Sequence, residues 1–408
     1  MRGTDIRSYR WRIVALIYAT ALLYLLFQGG KTAVMLFMIL NLLILYLLLG
    51  RWSGIAGVTG VRRFTSAAPA EQSLSSGSSL EVHLQLKVPG YYPIPYVLVR
   101  DELIKHNGQR LVFEASFVPS WKRAGEVVYT TPPLGRGEYR FHQAECLTKD
   151  IFGLFEHAGQ FVSEATFAVL PQTIQLRQWH GIQRGIRGPY SHAAASRSSK
   201  ETTQINGVRE YLYGDRLSRV HWNATAKTGE WKSKAFERES LPRTIVILDR
   251  NHRAYLGGAG DSFEVAVAAA ASLFENGLRG ETAMGLLSAG ARTTALPPRS
   301  GSEQRNAVMN HLTRVDADAD KSIFKSLQVT DSLMEAGSFV VLITAEGGSE
   351  VIRSMEWLAR KGMMPCLLQI GGKWSDQASQ RMIRGRGWPV FSIKQLHELP
   401  AALEGGGL

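Results

Sequence analysis

Cysteine is nearly missing from this sequence. Its 408 residues include two, Cys146 and Cys366, with no CxxC pair. That pattern argues against a thiolate zinc site, and two isolated thiols fit a reducing compartment. Also missing are the GxxxxGKS/T of a P-loop, the GxSxG of a nucleophile elbow and the HExxH of a zinc peptidase. Serines are plentiful, yet none sits in a context that specifies a general base. No catalytic residue, metal or cofactor is therefore expected from motifs. Acidic charge is short: 35 Asp and Glu stand against 47 Lys and Arg, a formal charge of +12. A basic surface can meet nucleic acid, anionic lipid or an acidic protein, so charge alone restricts the partner only loosely. The length allows two or three domains.

What is present begins with two apolar runs, WRIVALIYATALLYLLFQ from Trp11 to Gln28 and TAVMLFMILNLLILYLLL from Thr32 to Leu49. Apart from Arg12 neither carries a charge, and each approaches the roughly 20 apolar residues that cross a bilayer. A cleaved signal peptide has one shorter apolar core, and a soluble helix has a polar face. A transmembrane hairpin over 1–50, turning at Gly29, Gly30 and Lys31, is the expectation. Arg2, Arg7, Arg10 and Arg12 precede it, and Arg51, Arg62 and Arg63 follow it. Basic residues stay inside, so the N-terminus and everything after Gly50 are expected in the cytoplasm, the chain being a multi-pass protein of the cell membrane. Asn41 is placed to hydrogen-bond across to the first helix.

Residues 51–78 are rich in Gly, Ser, Ala and Thr and read as a linker. From 79 to 172, short runs of period two, such as SLEVHLQLKV and RLVFEASFV, alternate with Gly and Pro. They predict an all-β sandwich, with FAVLPQ (167–172) as its closing strand. Residues 173–206 are irregular and basic and read as a second linker. From Arg243 onward, continuous apolar runs (TIVILD, FVVLITA, PCLLQI) alternate with amphipathic helical patterns, as a doubly wound, mostly parallel sheet requires. Ligands of such sheets bind beyond the carboxyl ends of the strands. Two loops qualify by position: Asp249–Arg253 and Ala345–Gly348.

A strand-end carboxylate followed by hydroxyls two and four residues later suits a hard divalent cation. The von Willebrand A domain has that arrangement, Asp-x-Ser-x-Ser with a further Asp in a Thr-Asp-Gly turn, and this region resembles it in strand order. Here Asn251 and Arg253 replace the two serines, and Ala345 stands at the second acid. Asp249 and Asn251 alone make a poor cage, so these are degenerate metal-site positions.

The stretch GVREYLYGDRLSRVHWNATAKTGEWKSKAFERE, 207–239, is dense in charge and aromatic rings. Asp215 is placed to cap a helix running from Arg216 to about Lys227 and ending at Gly229. EWKSKAFERE then alternates like a strand. Arg209-Glu210-Tyr211, then Gly214-Asp215, then Arg219 and Trp222 in an Arg-x-x-Trp spacing, then Ala226-Lys227, closely resemble the hallmark string of a bacterial family catalogued as domain of unknown function 58. TKDIFGLF (148–155) is similar to the Asp-Pro-Phe-Gly-Leu-Phe turn of that family's upstream β-domain, with Ile151 in place of Pro. The double span matches the family's layout too. The resemblance implies a von Willebrand A-like, Rossmann-like α/β domain over 207–408 and no established reaction. It also implies two partners, a MoxR-type AAA+ ATPase and a transglutaminase-like membrane protein, whose genes commonly neighbour those of the family.

The sequence thus predicts a multi-domain chain: two transmembrane helices, a β-sandwich and a C-terminal α/β domain. The leading expectation is a non-enzymatic, membrane-anchored cytoplasmic adaptor that presents the A-like domain to a MoxR-type ATPase in cell-envelope assembly. In it Arg209, Glu210, Tyr211, Gly214, Asp215, Arg219, Trp222 and Lys227 act as a structural lattice or docking surface. The alternative is a hydrolase or transferase with its site around Asp215–Trp222. A nucleic-acid partner is not expected, because the interspersed acids would repel phosphate. A homo-oligomer is compatible with the sequence.

Overall fold

The computed structural model describes residues 3–66, 74–176, 199–213, 215, 217–240, 243–256, 261–280, 282–330, 335–371 and 377–404. The chain divides into two compact units, Met1–Leu170 and Pro171–Leu408.

The first unit opens with two helices, α1 (Gly3–Gln28) and α2 (Gly30–Leu49). Gly29 separates them at a positive φ of 56°, which a residue with a side chain rarely adopts. Both are long and apolar enough to cross a membrane, by length and composition. Tyr18 meets the second helix twice: its ring lies 5.4 Å from that of Phe37, and its hydroxyl donates to Asn41 Oδ1 at 3.5 Å. Asn41 thus reaches the first helix as its position suggests, although its own amide nitrogen bonds to Phe37 O at 2.8 Å.

Eight strands follow: β1 (Thr59–Ser66), β2 (Leu74–Ser75), β3 (Leu80–Lys87), β4 (Val97–Lys105), β5 (Arg110–Phe117), β6 (Ala124–Thr130), β7 (Gly137–Lys149) and β8 (Glu156–Leu170). They form a three-stranded sheet, β1-β3-β6, and a five-stranded sheet, β2-β8-β7-β4-β5. Alternate residues turn inward, as in β3, where Leu80, Val82, Leu84 and Leu86 are buried. With Val97, Val99, Leu103, Phe141 and Cys146 they make one core between the sheets. The pleat drives this packing, since every second side chain shares a face.

Two sequence expectations are corrected here. Residues 51–78 are not a linker throughout, because β1 pairs with β3 from Thr59↔Lys87 to Ser66↔Leu80. The basic look of the segment misleads. Arg62 points into the core, where its Nη2 lies 2.7 Å from Asp101 Oδ1 with both side chains 1% exposed. Tyr129 donates to the same carboxylate at 2.6 Å, and the guanidinium stacks 4.4 Å from the Phe141 ring. A buried charge persists only when paired and hydrogen-bonded in this way. FAVLPQ is no separate strand either. It is mostly the end of β8, whose ladder with β7 runs from Lys149↔Glu156 to Gly137↔Val169.

In the second unit, Pro171–Leu176 is not free linker. Ile174 N donates to Ser272 Oγ at 3.0 Å and Leu176 N to Asn276 Oδ1 at 2.9 Å, which ties the segment to the helix Ser262–Arg279. Residues 177–198 lie outside the described residues. At 199 the expected linker has already become strand β9 (Ser199–Glu210), which pairs antiparallel with β10 (Lys232–Ser240).

The remaining strands are β11 (Arg243–Asp249), β12 (Ala283–Ala289), β13 (Thr294–Arg299), β14 (Phe339–Thr344), β15 (Met364–Ile370) and β16 (Val390–Ile393). Their order is β13-β12-β11-β14-β15-β16, parallel except for β13. Strands buried on both faces need no alternation, and β14 is buried at all six positions. One face packs Val246, Leu248 and Val341 against the helices Ser262–Arg279 and Ser302–Arg314. The other packs Ile245, Ile247 and Leu342 against Ile323–Val329 and Ser349–Arg360. β13 was not foreseen. It carries Pro297 and Pro298, which an edge strand tolerates.

Candidate functional site

The charge- and aromatic-rich string at 207–239 folds around a turn between β9 and β10. Arg209 is the penultimate residue of β9, and its Nη2 lies 2.7 Å from Asp215 Oδ1. Asp215 Oδ2 accepts Leu212 N–H at 3.1 Å, and Tyr211 Oη donates to Asp215 O at 2.8 Å. The Arg209 guanidinium and the Leu212 amide hold the Asp215 carboxyl below the usual carboxylate range. Gly214 lies outside the described residues. Glu210 is exposed and pairs across the ribbon with Lys232 at 3.8 Å.

The expected helix from Arg216 to Lys227 is broken in two. A single 3-10 turn covers Leu217–Arg219, and the helix proper is Trp222–Thr228. Asp215 does not cap it, because its carboxylate is engaged by Arg209 and Leu212. His221 caps instead, accepting Ala224 N–H on Nδ1 at 3.1 Å. Val220 forces the break: fully buried, it bridges to Ser233 of β10, and a residue paired as a strand cannot continue a helix. Gly229, at φ 74°, closes the helix as expected. Arg219 is half-buried, and its carbonyl accepts from Ser233 Oγ at 3.4 Å. Lys227 lies exposed in the last turn.

Around this internally paired frame the aromatics face outward. Trp222 is 60% exposed and its ring lies 6.0 Å from that of Trp231, itself 5.6 Å from Tyr211. Tyr213, Leu212 and Leu217 are exposed beside them. The arrangement offers apolar area and edge charges. Among the described residues, His221 Nδ1 is engaged by the Ala224 amide and the Asp215 carboxylate by Arg209 and Leu212.

The second candidate, at the ends of β11 and β14, is closed inward. Asp249 is buried; Oδ2 accepts the Thr344 hydroxyl at 2.7 Å and Oδ1 accepts Asn251 N–H at 3.0 Å. Burial pushes its carboxyl up to about 7, against the pull of those two donors. Asn251 spends its side-chain oxygen on Arg253 N–H at 3.1 Å, and the Arg253 side chain is exposed. Ala345 is buried and brings no oxygen. Arg250, next in the chain, is structural: it pairs with Asp318 at 2.8 Å and donates to Asp316 O at 2.9 Å. Among the described residues no group of three His, Cys, Asp or Glu could hold a metal ion.

Sequence reasoning passed over Glu346. Its amide donates to Thr344 Oγ1 at 2.9 Å, linking it to Asp249 through one hydroxyl. Burial, then the charge of Glu350, raises its carboxyl. The acid one place after Ala345 was the available signal.

Comparison with known proteins matches residues 207–360 to the family described as "Protein of unknown function DUF58". The uncharacterized protein YeaD of Bacillus subtilis (strain 168) is 26% identical over 332 residues, which is 76% of this chain and 76% of that protein. Among solved structures, proximal thread matrix protein 1 of the mussel byssus is 12% identical with a TM-score of 0.32. It covers 41% of this chain and 46% of its own. A von Willebrand factor type A protein from Catenulispora acidiphila is 12% identical with a TM-score of 0.29, covering 41% of each chain. The chain thus spans less than half of either solved structure.

Proposed function

We propose that this chain is a non-enzymatic adaptor anchored in the cell membrane by α1 and α2. Its soluble parts lie in the cytoplasm, where the 207–239 surface docks a MoxR-type AAA+ ATPase in the service of envelope assembly. The observation that carries this reading is the contrast within the motif: Arg209 and Asp215 satisfy each other while Tyr213, Trp222 and Trp231 are exposed. Aromatic side chains presented on a rigid frame are what binding hot spots use. A frame whose charges are internally paired has little left for chemistry. The inward closure of Asp249 supports the same reading, because it leaves the strand-end loop without an open coordination position.

The test is purification of the intact protein from native membranes in mild detergent, cross-linked with ATP present, beside a Tyr213→Ala/Trp222→Ala variant. An AAA+ ATPase retained by the parent and lost by the folded variant is expected. If the parent retains no ATPase under these conditions, the adaptor reading is wrong. The soluble region would then be screened for hydrolase activity around Asp215–Trp222.

A further inference from the structure

We propose that one end of the β-sandwich is itself seated in the lipid headgroup region, with Tyr91, Trp121, Ile151 and Phe152 as its membrane contacts. The inference rests on the reading that α1 and α2 span the bilayer.

Strand register places three loops at one end of the first unit, two that cross between the sheets and the β7–β8 hairpin. Lys87 pairs with Ala124, Val97 with Phe117 and Leu98 with Leu147, so loops 88–96, 118–123 and 150–155 lie together. The helices end against these same loops. The Trp11 ring packs 4.7 Å from Phe155, and Tyr92 Oη donates to Tyr46 O at 3.2 Å, with the two tyrosine rings 5.7 Å apart. Arg123 fastens the joint, since its guanidinium bonds the carbonyls of Ser53, Val88, Pro89 and Tyr92. Gly159 lets the turn Ile55–Gly57 lie on β8, where a Cβ would fall 1.8 Å from Ile55 O.

This attachment fixes depth. The α1 run Trp11–Gln28 has 18 residues. At about 1.5 Å per residue it covers about 27 Å, barely the ~30 Å of a hydrocarbon core. Such a span has no slack, so Trp11 and Tyr46 lie at the boundary, and the loops packed on them lie at the same level. Those loops turn apolar side chains outward. Tyr91 and Trp121 are fully exposed, Ile151 and Phe152 largely so, and Trp52 joins them just past α2. Tryptophan and tyrosine favour this zone because one edge is apolar and the other wet. Lys122 is exposed among them, as an anionic headgroup layer would suit, while Lys149 pairs with Glu156 at 3.6 Å. Asp150 is turned onto its own loop, its carboxylate accepting the amides of Phe152, Leu154 and Phe155.

The opposite end is the internal contrast. Its loops, 76–79, 106–109 and 131–136, contain no Phe, Tyr or Trp. Their shared position follows from the bonds Gly77 N to Leu134 O and His106 N to Glu138 O. A solvent-facing sandwich has no need of such asymmetry.

The test uses the full chain in phosphatidylethanolamine and phosphatidylglycerol vesicles, spin-labelled at single introduced cysteines. The native Cys146 and Cys366 are buried and stay silent. Trp121→Cys, Ile151→Cys and Phe152→Cys are compared with Gln109→Cys at the far end and Leu23→Cys inside α1. Labels at 121, 151 and 152 are expected to collide more often with dissolved oxygen than with a water-soluble nickel chelate, and the label at 109 to show the reverse. A lipid-embedded label at 23 with aqueous labels at 121, 151 and 152 would overturn the inference while leaving the spans intact. An aqueous label at 23 would overturn both. Because all three loop positions are exposed, their replacement leaves the core unchanged, and a buried Cys146 that stays unlabelled reports a folded sandwich in each variant.

Discussion

Asp249 and Asp215 belong to the same unit and are treated in opposite ways. Asp249 ends a core strand, is buried, and is satisfied by a hydroxyl and an amide without a cationic partner in that set. Asp215 sits in a surface turn and is held by a guanidinium at the rim of an exposed aromatic cluster. The first carboxyl is raised by burial and the second lowered by its partner. The strand-end position is closed inward, whereas the 207–239 surface turns aromatic side chains outward. Asp101 in the first unit extends the buried side of the comparison, being as deep as Asp249 but paired with Arg62.

Each of these settings can be broken, with effects that shrink from core to surface. Asp101→Ala strands the Arg62 guanidinium in the sandwich core and is expected to cost about 3–5 kcal/mol. Loss of hydrogen-exchange protection across β3, β4 and β7 would register it; unchanged protection would mean the pair is dispensable. Asp249→Ala deprives the Thr344 hydroxyl and the Asn251 amide of their acceptor in a buried place. About 1–3 kcal/mol is expected, read from exchange on β11 and β14.

Asp249→Asn should act through pH. The folded carboxyl titrates near 7, well above an unfolded aspartate at about 3.9, so the folded state holds an extra proton between those values. The stability contributed by the protonated carboxyl is full below about pH 4. It is lost as pH rises to about 7, a change of a few kcal/mol at most at about 1.4 per unit. The asparagine variant is expected to lack that fall. A parent protein whose β11 protection, corrected for intrinsic exchange, is flat over the same range would contradict the assignment. At the surface end, Trp222→Ala should change stability by less than about 1 kcal/mol while abolishing ATPase capture. A variant that unfolds instead would move Trp222 from docking to packing.

Much of this architecture is legible in residues alone. TIVILD and FVVLIT read as doubly buried strands because their interiors, Ile245–Leu248 and Phe339–Ile343, are continuous apolar runs. α1 and α2 read as spans because they lack a polar face. Three features were hidden for physical reasons. β1 looked like linker because the partner that makes Arg62 a core residue, Asp101, is far away in sequence. The motif helix looked continuous because nothing local announces that Val220 bridges to Ser233. Glu346 was passed over because its tie to Asp249 runs through Thr344, a contact that only the neighbouring of β11 and β14 creates. The aromatic loops of the sandwich were visible as letters. Their shared end became evident only with strand register.

The most direct test of the central claim is site-specific photo-crosslinking in intact cells, with a photoreactive residue at Trp222 in one strain and at Arg253, by the closed strand-end loop, in another. The account predicts a covalent adduct with a MoxR-type ATPase from position 222 and none from position 253. An adduct from 253 alone would put the docking face at the strand-end loop and contradict it.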